Sequence, residues 1–259
     1  MDEMTTSFEP ESNENLPDEQ ASWYSGFIDI LSEPWEIGRR AVRSPLKVVI
    51  LAILLQVASM PIISYFNSSS PGVVKEMHDK GMRKIDKLAE NPNITPEILA
   101  QQRTIIEDSI KFNLTMSLWM GLGLGLLNLF VLGSLLWISH RMFTAEPLGY
   151  IHLVSLVSYG ASIDFIGNIV RALMMFLGDS IHYSPNLLFL NHSDTTSIIT
   201  LLSRIDVFFL WFYAAVGLTI ASAAGLTKKY GFYISGVVYI FITLSSWGIL
   251  RIIEILGLG

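Results

Sequence analysis

Asp164, Asn168 and Arg171 lie within an otherwise apolar stretch, Ile151 to Gly178, that is long enough to cross a bilayer. Positions i, i+4 and i+7 share one face of a helix, so the three polar groups form a single stripe. A charge near the bilayer centre costs about 2.5–3.5 kcal/mol on insertion scales. The stripe is therefore expected to face other helices or a wet cavity. A carboxyl, an amide and a guanidinium so placed could do either of two things. They could fix helix register as a buried pair, or they could handle protons or a solute. Asp206, near the start of the next long apolar segment, is the matching acid. Arg171 stands about 10 Å from the end of its own span and Asp164 about 10 Å further along the same axis. The spacing predicts an Arg171–Asp206 interhelical pair, with Asn168 and Asp164 hydrogen-bonded deeper in the bundle. On that reading a reciprocal exchange of the two charges is expected to preserve the pair.

Other chemistry finds little support. The chain has no cysteine, which removes disulfides, thiolate metal sites and cysteine nucleophiles together. It has no His-Glu-x-x-His helix, Gly-x-Ser-x-Gly elbow or Walker loop. The five histidines, His78, His140, His152, His182 and His192, are scattered. Only His182 and His192, in one loop with Asp179 and Asp194, suggest even a weak metal site, and imidazoles need convergent, oriented partners. The run Gly121 to Gly125 lacks the strand and soluble setting of a phosphate loop. With Ser117 it forms a small-xxx-small series, Ser117, Gly121 and Gly125, suited to close helix approach. Gly217, Ala221 and Gly225 form a second such series. The expectation is a protein without catalytic residues, metal or cofactor.

The elements that must carry these residues are membrane helices. Of 259 residues 51% are hydrophobic and 15% charged, with mean hydropathy +0.47, whereas soluble domains carry about 25% charged residues. Spans are expected at about 46–66, 114–138, 151–178, 205–226 and 232–255, each near the ~20 residues a bilayer requires. The fold class is an all-α polytopic membrane bundle of five transmembrane helices occupying residues 45–256. Between the first two spans, residues 73–112 read as two amphipathic helices joined at Asn91–Ile94, with Thr95 as N-cap before Pro96. Their surrounding segment, 67–113, holds seven bases and seven acids, so it suits a helical cap or docking surface better than an anion site.

Residues 1–20 hold seven acids and no bases and are expected to form a disordered cytoplasmic tail. The acidity is local and implies no nucleic-acid partner. No signal peptide is visible, so the first span is expected to direct its own insertion. Residues 21–44 combine Trp23, Phe27, Ile30, Leu31 and Trp35 with the bases Arg39, Arg40 and Arg43. That pattern suits an interfacial amphipathic helix anchored by Trp23, Trp35, Arg39, Arg40 and Arg43, or equally a short helix packed on the bundle. Asp194 is placed to cap a further interfacial helix from Thr195. Counting bases beside the short loops places the N-terminus in the cytoplasm, and five spans then put the C-terminus and the hairpin outside.

Two stretches carry a resemblance. The lead-in Leu31-Ser32-Glu33-Pro34-Trp35-Glu36-Ile37-Gly38-Arg39-Arg40 is similar to the entry of the Yip family, the Ypt/Rab-interacting membrane proteins. Ile205-Asp206-Val207-Phe208-Phe209-Leu210-Trp211, running through Ala215-Val216-Gly217-Leu218 to Lys228-Lys229, resembles that family's fourth span. The likeness covers roughly residues 22–256, while the polar hairpin departs from the compact eukaryotic members and looks like a bacterial elaboration. The resemblance implies a non-enzymatic five-span protein of a bacterial inner membrane, a membrane-organising, trafficking-like or partner-binding scaffold. Its expected partners are the lipid bilayer and other membrane proteins or a second copy. A small GTPase partner follows from family analogy alone. The other reading open at this point is a small transporter or channel built on the Asp164, Asn168, Arg171 and Asp206 cluster.

Overall fold

Apolar runs of 25 residues or more, opened by residues that satisfy or lack the first backbone donors, set the long helices. In the computed structural model α3 (Pro45–Ser69) begins on a proline, and α6 (Leu114–Phe143) begins at Asn113, whose side chain accepts from Met116 N at 3.0 Å. The structure describes residues 24–39, 45–90, 94–145, 147–186 and 205–255. The acidic tail, Trp23, Arg40, Arg43, His192 and the proposed Asp194 cap lie outside those residues. The third span is divided at Gly160 into α7 (Tyr150–Tyr159) and α8 (Ala161–Leu177), then α9 (Val207–Ala223) and α10 (Lys228–Ile255) follow. At the break, Gly160 N bonds Val157 O and Ile163 N bonds Gly160 O, tight i−3 bonds that interrupt the α-helical ladder. Ser155 and Ser158 in the preceding turns back-bond to Ile151 O and Val154 O, a pattern that bends helices.

Four of these elements are long and apolar enough to cross a membrane: α3, α6, α7–α8 and α10. The fifth, α9, has 17 residues, about 25 Å, slightly less than a hydrocarbon core. It packs against α8 near its start, where Phe208 meets Gly167, and against α10 further along, where Gly217 meets Gly231. The end where α3 starts is called proximal below, and the opposite end distal. The third span is the central one: 67% of its apolar window is buried, against 17% for α10. Its inward residues Leu153, Val154, Leu156 and Ile163 join Val48 and Ala52 of α3, Leu136 of α6, and Val216 and Ile220 of α9 in one core.

Several boundaries move from the sequence expectation. The second span continues to Phe143, because His140 is drawn into the protein and its Nε2 accepts from Leu148 N at 3.1 Å. The fourth span stops at Ala223, and Lys228-Lys229 open the last helix rather than closing the one before. Gly225 is not a packing residue. It has φ +66 and nothing within 4 Å of where a Cβ would stand. Gly225 N bonds Ser222 O and Leu226 N bonds Ala221 O, the paired bonds of a Schellman turn, and glycine there ends the helix without strain.

Of the two placements open for the N-terminal lead-in, the structure packs it on the bundle. In α1 (Gly26–Asp29) Phe27 meets Tyr159 edge-on at 5.1 Å, and Ile30 just beyond it is wholly buried. In α2 (Pro34–Arg39) Gly38 lies directly against α9, where a Cβ would stand 2.3 Å from Thr219 O. Thr219 Oγ1 and Ser222 Oγ donate to the carbonyls of Pro34 and Trp35 at 2.9 and 2.6 Å. Trp35 is partly exposed, with Lys228 Nζ 5.4 Å and Arg39 Cζ 6.0 Å from its ring centre.

At the distal end, α4 (Pro71–Ala89) and α5 (Pro96–Ile110) form the expected antiparallel pair, with Gly81 tight against Ile106. Thr95 holds the N-cap position in extended backbone, though its side chain makes no bond to the helix backbone. The hairpin is fastened to the third span by reciprocal caps. Asp179, in left-handed backbone at φ 48, accepts from Ser70 Oγ and from Gly72 N at 2.7 Å, at the start of α4. Glu76, one turn further on, accepts from Ser180 Oγ and Ile181 N at 3.0 and 2.9 Å.

The Ser70 hydroxyl first, then the Gly72 N–H, hold the Asp179 carboxyl below the ordinary carboxylate range. A depressed folded pKa gives stability that is full above the unfolded value, about 3.9, and is lost as pH falls through the folded one. Hydrogen exchange at Gly72 should therefore quicken as pH drops from 5 toward 3, after correction for intrinsic rates. In Asp179→Asn that step should be missing; an unchanged step would assign it to another acid.

Candidate functional site

The helix stripe of the third span divides into two sites. On the distal side, Arg171 Nε donates to Asp206 Oδ2 at 2.8 Å, and its Nη1 donates to Asn168 Oδ1 at 2.7 Å. The guanidinium also lies 4.5 Å from the centre of the Phe209 ring. Asn168 reaches Ser59 of α3 through Nδ2 at 3.5 Å. The Arg171 and Asp206 side chains are 16% and 6% exposed, so this is a buried pair. One guanidinium nitrogen, Nη2, is buried without a hydrogen-bond partner.

Asp206 is held from its own side as well. It is the N-cap of α9, and its Oδ1 accepts from Phe208 N at 2.7 Å and Phe209 N at 3.3 Å. Its residue pairs with Asn186 in an isolated antiparallel bridge, and Val207 N donates to Pro185 O at 3.1 Å. Gly167 makes room for this arrangement: a Cβ there would stand 2.8 Å from Phe208. Seven residues earlier, about two turns, Gly160 does the same for Phe212 and Val216. These two glycines bring α8 and α9 together, a role that the small-residue series in the sequence did not assign them.

Asp164 belongs to a different place. It lines a cavity of about 340 Å³ enclosed by α3, α6, the third span, α9 and α10. Gln56 of α3 donates to its Oδ2 through Nε2 at 3.3 Å. Gln56 has space for this because its Cβ lies 2.9 Å from where a Gly125 Cβ would be, and Gly121 approaches the Val57 backbone as closely. Ser117, Gly121 and Gly125 are all buried along the α6 face that meets α3. The other polar lining groups are Asn128, Tyr213, Tyr239, Thr243 and Ser246, and apolar and aromatic side chains complete the wall. The Tyr239 hydroxyl approaches Thr243 without reaching hydrogen-bonding geometry. Sequence reasoning missed Gln56, Asn128, Tyr213 and Tyr239. A polar residue inside an expected span was the available signal for the first two.

Gly217 and Ala221 are buried on α9. Gly217 faces Gly231 and Ser235 of α10, which places it in helix packing as expected. Among the described residues no group of three His, Cys, Asp or Glu side chains could hold a metal ion. Asp179 and His182 lie in the distal turn, and the Asp179 carboxylate is taken up by Ser70 and Gly72.

Antiparallel apolar helices with their ionisable groups turned inward define an integral, multi-pass membrane protein. The Yip1 domain model matches residues 28–250, nearly the whole helical region, and the chain belongs to that family. No curated protein and no solved structure matched the chain.

Proposed function

We propose that the protein works without catalysis, as a membrane-organising or partner-binding scaffold in a bacterial cytoplasmic membrane. The observation that carries this reading is the clasp Ser59–Asn168–Arg171–Asp206, in which a buried cation ties three helices together. Lys47, Arg141, Lys228 and Lys229 sit at the proximal end. By the positive-inside rule that end faces the cytoplasm, with the hairpin outside. The weakly buried spans α3, α6 and α10 then offer their apolar faces to lipid, to other membrane proteins or to a second copy. A small GTPase partner rests on family membership alone.

The second reading, a small transporter or channel, is favoured by one observation: Asp164 borders a cavity rather than joining the clasp. Transporters of paired architecture carry inverted repeats and broken helices at the midplane, and among the described residues the third span alone is interrupted. Ion and proton flux into protein-loaded vesicles separates the two. The scaffold reading expects flux no greater than in empty vesicles. Flux that is present in the wild type and lost in Asp164→Asn would overturn it.

A further inference from the structure

The Asp164 cavity opens sideways, between α6 and α10. Ser139 Oγ of α6 bonds Ile234 O of α10 at 3.3 Å near the proximal end. The cavity lies further along the same two helices, at Asn128 on α6, about 16 Å from that bond. Three of its lining residues, Asn128, Val131 and Phe209, are themselves exposed, the latter two by 48% and 40%. They mark a mouth on the outer surface of the bundle. Asn128 stands at the middle of the 30-residue α6, so the mouth is at bilayer mid-depth and faces acyl chains rather than water.

An exposed amide at that depth costs free energy unless something polar covers it. The interior carries a carboxyl, four hydroxyl-bearing side chains and several aromatic rings, with no lysine, arginine or histidine among the described lining residues. Such a wall repels phosphate and carboxylate and attracts a cation with hydrogen-bond donors, through Asp164 and the rings of Phe212 and Tyr213, the Phe209 ring being already covered by Arg171. The volume, at the lower end for small-molecule sites, takes a head and its first few carbons but no bulky headgroup.

We infer that this cavity binds the ammonium head of a single-chain cationic amphiphile that enters from the bilayer, with its tail left between α6 and α10. Asp164 accepts from the ammonium, Gln56 holds the carboxyl in place, and Asn128 closes the mouth over the head. The site is independent of the scaffold reading, since binding needs neither flux nor a protein partner.

The test is equilibrium binding of radiolabelled dodecylamine to the full chain in phosphatidylcholine nanodiscs at pH 7, with empty nanodiscs as blank. One saturable site per chain is expected. Dodecanol, of equal length and uncharged, should bind at least tenfold more weakly, and Asp164→Asn should weaken dodecylamine by a similar factor. Because Asp164→Asn alters the interior, Val131→Trp supplies a second arm: it fills the mouth from the lipid side and should abolish binding with Tm unchanged. Binding no greater than the blank, equal binding of dodecanol, or full binding by a folded Val131→Trp would each overturn the assignment.

Discussion

Asp206→Ala should be among the most damaging single substitutions in this protein, costing about 3–5 kcal/mol, while Arg171→Met should cost clearly less. The two residues form one ion pair at 2.8 Å, yet they are not equivalent. Removing Asp206 leaves the Arg171 guanidinium buried with only Asn168 and a ring face beside it, and unpaired buried charges are what make broken pairs expensive. It also strips the N-cap from α9, a loss of about 0.5–2 kcal/mol in other helices. Removing Arg171 leaves Asp206 still accepting from Phe208 N and Phe209 N. The double variant should therefore be more stable than the sum of the single losses predicts, and the coupling should appear in a thermal-unfolding cycle. Arg171→Met as damaging as Asp206→Ala, or strictly additive losses, would remove the asymmetry. The same geometry limits what a reciprocal exchange of the two charges can restore. An arginine at position 206 cannot accept from the first turn of α9, so the swapped protein loses the cap even if the charges meet.

How far the sequence reaches depends on what kind of contact is asked of it. Arg171, Asn168 and Asp206 stood out because ionisable groups in apolar spans have few tolerable placements, and antiparallel geometry put two of them at one depth. Asp164, seven residues from Arg171, was already too far along the axis to join them. Its partner was not legible, because Gln56 is a neutral amide whose importance depends on a glycine of another helix, Gly125, leaving it room. The distal fastening was hidden for a similar reason. Asp179 and Gly72 are far apart in sequence and neither is unusual in its own segment. The helix ends were misjudged where local chemistry overrides hydropathy: Gly225 stops α9 although the apolar run continues to Leu226, and buried His140 keeps α6 helical past Ile138.

That α9 ends so early also explains why its packing leaves little tolerance, and Gly217→Ala should show it. A Cβ at Gly217 would stand 2.3 Å from Gly231 O and 2.4 Å from Ser235 Oγ, and one at Gly231 would stand 2.6 Å from Gly217 O. The two helices touch backbone to backbone, and a backbone carbonyl cannot swing aside as a flexible side chain can. The methyl must push α9 from α10, at about 1–3 kcal/mol by analogy with overpacked cores. The displacement would not stay local. The same 17 residues present Asp206's partners at one end, the cavity wall of Phe209, Phe212 and Tyr213 in the middle, and the seats of α2 at Thr219 and Ser222. Gly236→Ala is the control: it lies on the same α10, nothing stands within 4 Å of its Cβ position, and loss of a helix glycine should stabilise by a few tenths to about 1 kcal/mol. Thermal unfolding of the two variants in one detergent should thus move in opposite directions. Equal behaviour would mean that α9 and α10 do not meet at these glycines.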